Sequence, residues 1–394
     1  MIYKMAFKNL LRHKRRTLLT LITTIVGIML AVVGEGLNGG LEKQVSDLSI
    51  KSETAYGRIF GKGYYEEKED NDILEFPIDE DEMLALEGIS ITKRISFTGT
   101  ITDSDLEFAV YYMGVDEQEE NQVFQREKYI ISGNFIKNRN DVVIGSELAK
   151  LLNVKVGDQL TLMARNINKN QNAYDILITG IIKTGNVIFD GKAVFLSQDF
   201  AREFTGADFY NEIAIANILE PNLISQLKTK NFDFVDYKEE LKDILAISKM
   251  RRKIFGMISG GILIMASLTI ANTMLMAMLE RKKEIGVLMA NGMNSRKILE
   301  LFFLEGIYNG IIGCTLGFLI GSLITLNLEK VGIPFNMSFQ DMGLALPFSD
   351  RMYLYYNLGK SLTFPLIGLM FVALASFYPA YKATKLNPIE AIRG

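Results

Sequence analysis

Four long stretches of this sequence are almost free of charge, and they constrain the fold more than anything else in it. Residues 17–37 hold one charged side chain, Glu35; residues 254–279 hold none; residues 301–328 hold one, Glu305; residues 362–381 hold none. About 20 helical residues cross a hydrocarbon core of about 30 Å. Within lipid only helices or closed barrels satisfy every backbone polar group. Each stretch therefore predicts a spanning helix. The averages over all 394 residues, 48% apolar and 23% charged with a net charge of −3, conceal this segregation. The first stretch is long for the apolar region of a signal peptide, and Val33-Gly34-Glu35-Gly36-Leu37 is not a small-x-small cleavage site, so it reads as an anchor.

Basic residues flanking a span tend to stay cytoplasmic. Residues 1–16 carry six Lys or Arg and no acid; residues 280–300 carry Arg281, Lys282, Lys283, Arg296 and Lys297; the tail carries Lys382, Lys385 and Arg393. Four spans place all three segments on one side, with both termini cytoplasmic. The stretch 38–253 on the other side holds 37 Asp or Glu against 26 Lys or Arg, a net charge of −11. One cluster dissents: Lys249, Arg251, Arg252 and Lys253 precede the second span on the side assigned to the exterior.

The expected organisation is an amphipathic helix over 1–16, a first span over 17–37, an extracytoplasmic domain over 38–245, a stalk and second span over 246–279, and a cytoplasmic segment over 280–298. A third span follows over 299–328, then an outer loop over 329–360, a fourth span over 361–381 and a tail over 382–394. In the first helix Tyr3, Phe7, Leu10 and Leu11 fall on one face, away from Lys4, Lys8, Arg12 and Arg15. The extracytoplasmic domain reads as α+β, without internal repeats. Strands are expected at 141–144, 159–163, 176–183 and 193–196, a helix at 146–152 capped by Ser146, a turn at 156–158, a loop at 185–191 and a helix at 198–204. Residues 64–82 are acidic and read as a loop, and 237–257 as a helix leading into the second span.

Gly306, Gly310, Gly313, Gly317 and Gly321 recur at steps of three and four along the third span, which permits close helix packing. Glu305 and Asn272 are polar groups inside spans, and an ionisable residue at such depth is a functional candidate; the plain alternative for Glu305 is snorkelling to the interface or pairing with a nearby basic residue. No catalytic constellation is visible. The sequence holds no G-x-x-x-x-G-K-[ST] phosphate loop, one histidine (His13), and one cysteine (Cys314), with no metal-ligand spacing. The acidic residues of the domain read as a solvated surface. Energy for any transport is expected from another subunit.

The segment between the second and third spans is the most specific. Glu280-Arg281-Lys282-Lys283-Glu284-Ile285-Gly286-Val287-Leu288-Met289-Ala290-Asn291-Gly292 resembles the E-R-x-x-E-I-G-x-x-x-A-x-G signature of ABC permeases of the MacB/FtsX superfamily. Ile285, Leu288 and Met289 form an apolar ridge bordered by Glu280, Arg281 and Glu284, and such a ridge needs a partner surface. Residues 6–17, Val143 to Ala149 with Leu152 and Val156-Gly157-Asp158, Phe302-Phe303-Leu304-Glu305-Gly306, and Asn387-Pro388-Ile389-Glu390-Ala391-Ile392-Arg393 are similar to further motifs of the family. Ile178 to Gly185, with Asp190 and Val194-Phe195, resembles a stretch of the Lol lipoprotein-releasing permeases, whose stand-alone layout is also similar.

The resemblance implies a MacB-like (type VII) ABC permease architecture and makes residues 280–298 a coupling helix for an ATPase. Glu280, Arg281, Glu284, Ile285, Gly286, Leu288, Met289 and Gly292 are the implied coupling residues. It further implies two ABC ATPase subunits that bind ATP and Mg, with no cofactor in this chain, and a second permease, related or identical. The membrane is the bacterial inner membrane, with the large domain periplasmic. Lipoprotein release to a periplasmic carrier is the favoured activity. Efflux of drugs, peptides or other amphiphiles, and control of a cell-wall hydrolase in the manner of FtsX, are the alternatives.

Overall fold

The structure is a computed structural model. It describes residues 2–12, 14–64, 73–78, 88–103, 106–219, 224, 232–334 and 351–387. His13, most of the acidic stretch 64–82 and the C-terminal motif from Pro388 lie outside the described residues. The chain forms two compact units: Met1–Lys43 with Ala246–Ile333 and Met352–Gly394, and Gln44–Leu245 with Pro334–Arg351.

Among its described residues the first unit holds four helices long and apolar enough to cross a membrane. Their bounds exceed the apolar runs. The first helix, Lys14–Ser49, has 36 residues, and the second, Lys242–Glu280, has 39. At about 1.5 Å per residue each exceeds 50 Å, well beyond the hydrocarbon thickness. The expected end of the first span at 37 marks where apolar composition changes, not where the helix stops. Asn38-Gly39-Gly40 does not break the first helix because chain packs directly onto it. A Cβ on Gly40 would lie 2.0 Å from the Tyr353 carbonyl oxygen, and Tyr355 N–H donates to the Gly36 carbonyl at 2.9 Å. The third helix is Ser295–Val331, and the fourth, Thr363–Thr384, follows a short turn at Leu358–Ser361.

The five third-span glycines are contact points. Added Cβ atoms on Gly306 and Gly310 would meet Ser376 and Val372 of the fourth helix at 2.1 and 2.7 Å. On Gly313, Gly317 and Gly321 they would meet Thr24, the Ile25 carbonyl oxygen and Val32 of the first helix at 2.9, 2.7 and 3.0 Å. One glycine row thus seats two neighbouring spans. Gly317→Ala is expected to destabilise the detergent-solubilised protein by about 1–3 kcal/mol through overpacking. Gly256→Ala, whose Cβ meets nothing within 4 Å, should leave the melting temperature unchanged or raise it. Thermal unfolding of the two variants side by side checks this.

Two members of the basic cluster before the second span, Arg251 and Arg252, have partners in the same unit. Arg252 bonds Glu42 at 2.6 Å and lies 3.8 Å from Glu35; Arg251 donates to Asn38 at 3.1 Å; Lys360 lies 3.9 Å from Glu35. Carboxylates of the first helix therefore offset the charge of Arg252, one of the four basic residues whose placement looked anomalous.

Among the described residues the second unit is built on ten strands: β1 (Gly57–Gly61), β2 (Ile91–Asp103), β3 (Leu106–Val115), β4 (Ile130–Gly133), β5 (Val142–Gly145), β6 (Gln159–Arg165), β7 (Gln171–Ile182), β8 (Ala193–Ser197), β9 (Glu212–Ile215) and β10 (Phe232–Asp236). Six of them close on themselves in the order β2-β3-β8-β5-β7-β6, because β6 pairs with both β7 and β2. The long β2 makes this possible. Along one edge it pairs Ile91–Arg94 with β9 and Gly99–Thr102 with β6. β9, β1 and β10 extend from it as a wing, and β4 pairs with β7. The ring encloses a core in which Phe97 stacks on Tyr112 and Phe204, with centroids 4.9 and 5.6 Å away. Each such aromatic contributes about 1.5–3 kcal/mol through burial.

Expected local elements are present, with corrections. The helix Ser146–Leu152 is capped by Gly145, not Ser146, whose hydroxyl lies inside the first turn. The expected loop at 185–191 contains a helical turn, Val187–Asp190, capped by the Asn186 side chain. The expected helix from 237 is interrupted at Leu241.

The acidic residues of this domain are not all surface. Glu212 on β9 is fully buried and accepts from Arg94 at 2.8 Å, Arg58 at 3.2 Å, and Ser96 and Tyr111 at 2.7 Å. Arg94 also bonds buried Glu120 at 2.8 and 3.1 Å. Arg126 donates to Glu120 at 2.9 Å, with the rings of Phe124, Phe195 and Phe189 at 4.1, 4.8 and 5.5 Å from its guanidinium. Burial opposes ionisation of Glu212, yet Arg58 and Arg94 with the Ser96 and Tyr111 hydroxyls pull its carboxyl down to about 2. Burial pushes Arg126 down to about 10 against the attraction of Glu120.

Candidate functional site

Residues 280–298 are built by three local signals. The second span ends at Glu280, and Arg281 adopts φ −101° and ψ 16°, which turns the chain into a separate helix, Lys282–Ala290. Gly292 takes φ +81°, a conformation that disfavours a Cβ, and Asn294 caps the third span. A nine-residue helix is marginal by itself, so tertiary contacts must hold it.

Those contacts come largely from the apolar ridge. Ile285 is buried in a cluster with Met278, Ile298, Phe302 and Ala380, against which Met289 packs half-buried; Gly286 is also buried. This corrects the expectation that the ridge waits for an external partner: Ile285 is turned toward the ends of the spans by the chain reversal at Arg281. The exposed face instead carries Lys283, Glu284, Val287, Ala290, Asn291 and Gly292, with Leu288 half-buried at its edge and Glu280 exposed beside it.

A line of alternating charges fastens the helix. Arg12 of the N-terminal helix (Ile2–Arg12) bonds Glu284 at 3.0 Å; Glu284 accepts from Arg281 Nε at 3.2 Å; Arg281 Nη1 bonds Glu305 of the third span at 3.3 Å. Arg281 is only 8% exposed, and its guanidinium lies 5.9 Å from the Phe302 ring centroid. Slight burial opposes ionisation of Glu284, but the hydrogen bonds and charges of Arg281 and Arg12 hold its carboxyl below the usual range. The sequence marked Arg281 and Glu284 as coupling residues and left Glu305 as either a functional group or one paired with a nearby basic residue; the structure joins all three, with Arg281 as the basic partner of Glu305. In the N-terminal helix Ala6 and Leu10 are buried while Tyr3 and Phe7 are largely exposed, so the inward face is narrower than the sequence pattern indicates.

Glu305 also borders a small pocket of about 30 Å³ lined by Thr17, Thr20, Thr273 and Asn309 together with apolar side chains such as Ile270 and Met274. Asn309 donates to Thr20 at 2.6 Å. Asn272 is not part of this group: it lies exposed on the second span. The charged residues Arg58, Arg94, Glu120, Arg126 and Glu212 escaped sequence reasoning. The available signal was Arg94 in an otherwise strand-like run, without which nothing separates a buried carboxylate from its many exposed neighbours.

Within the stretch 178–195, the connection between β7 and β8 forms a closed loop. The amide and hydroxyl of Thr184 donate to Asp190 at 2.7–3.1 Å, joined by Gly185 N–H at 3.3 Å. Burial pushes Asp190 up to about 6 against these bonds. A Cβ on Gly145 would lie 2.1 Å from the Asp190 carbonyl oxygen, so the 143–149 motif meets this loop at van der Waals range.

The model of the FtsX-like permease C-terminal family matches residues 256–388, and that of the MacB-like periplasmic core domain matches residues 17–224. The chain is similar to the macrolide export ATP-binding/permease protein MacB of Neisseria meningitidis, 24% identical over 415 residues that cover 99% of this chain and 60% of the relative. It is similar to an uncharacterised ABC transporter permease of Methanocaldococcus jannaschii, 23% identical over 434 residues, 100% of this chain and 98% of that one. It is also similar to the lipoprotein-releasing system transmembrane protein LolC of Buchnera aphidicola, 26% identical over 262 residues, 63% of each chain. The chain thus spans 60% of the length of the MacB relative.

Proposed function

This chain belongs to the MacB/FtsX superfamily of ABC permeases, and from that membership we propose that it is the permease of an ATP-driven mechanotransmission complex in the bacterial inner membrane. Its termini and the 280–298 segment face the cytoplasm, and the domain over 38–245 faces the periplasm. Two copies of an ABC ATPase bind ATP and Mg and drive it, and a second permease completes the membrane part.

The observation that carries this reading is the two-sided character of the helix Lys282–Ala290. One face is fixed to the spans by Ile285 and Arg281, and the other, with Lys283, Val287 and Ala290, is open. A helix held in this way moves with the third span. Force applied at its open face by ATPase closure would pass through Arg281 into Glu305.

The cargo we favour is a lipoprotein released to a periplasmic carrier. Support comes from the likeness to LolC and from the Thr184–Asp190 loop in the stretch that resembles the Lol permeases. Extracting acyl chains costs about 0.8 kcal/mol per CH₂, on the order of tens of kcal/mol for several chains, which calls for ATP. The MacB likeness over 99% of this chain favours a second reading, efflux of a drug, peptide or other amphiphile. Depletion followed by membrane fractionation separates them. Lipoproteins retained in the inner membrane are the expected result. Unchanged lipoproteins with raised drug or peptide sensitivity would transfer the assignment to efflux, and a cell-wall hydrolase copurifying with the domain would transfer it to regulation.

A further inference from the structure

We infer, on the basis of the mechanotransmission reading, that the first spanning helix drives the extracytoplasmic domain through a fixed joint at residues 50–55, with Ser52 and Asn186 as its positioning residues, while the second spanning helix meets the domain through a compliant turn. The first helix does not end its course at Ser49. It continues as a π-helical turn, Ile50–Thr54, a geometry that is rare and concentrates at functional sites. Ala55 then takes φ 48° and ψ −149°. Residues with a Cβ rarely adopt that conformation, and it persists only where the surrounding structure imposes it.

Contacts on two sides impose it. Ser52, Thr54 and Ala55 are buried. On one side buried Asn186 donates from Nδ2 to Ser52 Oγ at 3.0 Å, and a Cβ on Gly185 would lie 3.4 Å from Leu48. The Asn186 side-chain oxygen accepts from Phe189 N–H at 3.3 Å, and the bonds of Thr184 to Asp190 close the same loop. That loop joins β7 to β8, two strands of the closed ring. On the other side Ala55 clusters with Phe124 and Ala214, and Tyr56 N–H donates to the Ile215 carbonyl of β9 at 3.0 Å. The foot of the first helix is thus held by both the ring and the wing.

The second joint is built differently. After β10, Tyr237–Glu240 forms one helical turn with no buried residue, and Leu241, at φ −84° and ψ 9°, interrupts the helix before Lys242. Arg58 Nε bonds Glu240 at 3.1 Å and Tyr237 N–H donates to the Tyr56 carbonyl at 3.4 Å, which fixes where the turn starts without burying it. Gly57 of β1 pairs with Asp236 of β10, so the two joints lie side by side on neighbouring strands. A stiff attachment beside a compliant one turns displacement of the first helix into rotation of the domain, with the few residues around Leu241 absorbing the change.

Hydrogen exchange of the full chain in reconstituted membranes tests the joint, and ATP-dependent release of palmitate-labelled lipoproteins from spheroplasts tests its use. Peptides over 50–56 should be protected like those of β2 and β3, and peptides over 237–242 should exchange fast. Ser52→Ala removes the acceptor and leaves the Asn186 bond to Phe189 in place. It should speed exchange over 50–56 about tenfold, the scale of one buried hydrogen bond, and leave β2 and β3 unchanged. Lipoprotein release should fall by a similar factor, about tenfold, while ATP hydrolysis continues. Ser52→Thr, which keeps the hydroxyl, should restore both. Glu239→Gly, which loosens the exposed second turn, should stay within about threefold of wild-type release. Equal exchange over 50–56 and 237–242 in the wild type overturns the fixed joint, as does release indifferent to Ser52→Ala or cut as deeply by Glu239→Gly. The expected protection in a wild type that shows no ATP-driven release would leave the joint standing and remove instead the functional reading on which its use rests.

Discussion

Reversing the charge at Arg281, as Arg281→Glu, is expected to reduce ATP-driven turnover at least about 100-fold while membrane insertion remains normal. The substitution places a third carboxylate between Glu284 and Glu305, which now lie 3.2 and 3.3 Å from the guanidinium. Removing one partner of a buried ion pair costs about 3–5 kcal/mol, and each 1.4 kcal/mol is roughly tenfold. The helix Lys282–Ala290 would then be held by Ile285 and its apolar neighbours alone. Arg12→Glu should cost far less, about 1 kcal/mol or below, because the Arg12–Glu284 pair is solvent-exposed. The charge-exchanged pair Arg281→Glu with Glu305→Arg should recover part of the loss. Limited proteolysis of the extracytoplasmic domain, unchanged across the series, checks that only the coupling has been altered. Comparable turnover in all variants would remove Arg281 from the path of force.

Arg94→Met is expected to produce the largest loss of stability in the extracytoplasmic domain. It strands Glu120 and Glu212, both fully buried, and only Arg126 and Arg58 remain to oppose them. The cost should again be about 3–5 kcal/mol, or roughly 6–20 °C in melting temperature for a domain of this size. The same network fixes the pH response. Glu212 has its folded value depressed to about 2 from an ordinary 4.5, so its contribution is complete above 4.5 and is lost as pH falls toward 2. Protease resistance of the domain in the intact protein, followed against temperature and pH, measures both effects. In the Arg94→Met variant the acid transition should move to higher pH.

The spans were legible because charge exclusion over 20 residues is a long-range signal that no local accident reproduces. Their ends were not, because packing decides them: Gly39-Gly40 looks like a helix stop until the chain at 353–355 is seen lying against it. Short elements with conventional turn residues, such as β6 after Gly157 and the helix Gln198–Thr205 after Ser197, were readable from sequence. The long β2 was hidden by Lys93-Arg94 and Gly99, which interrupt alternation exactly where it changes partner from β9 to β6. The 280–292 segment could be singled out but not oriented. Its apolar ridge suggested an external partner, and only the turn at Arg281 directs Ile285 inward and leaves Lys283 and Val287 outside. The link from Arg281 to Glu305 joins residues 24 apart in sequence and on different helices, a relation that no periodicity encodes.

We propose that force enters this protein through the open face of the helix Lys282–Ala290. It is tested most directly by placing Lys283→Glu with Val287→Asp on that face, where neither side chain supports the fold, and measuring ATPase association and ATP-dependent cargo release in reconstituted membranes. The variant is expected to insert correctly, to lose the ATPase and to release no cargo. Wild-type association and release in that variant would contradict it.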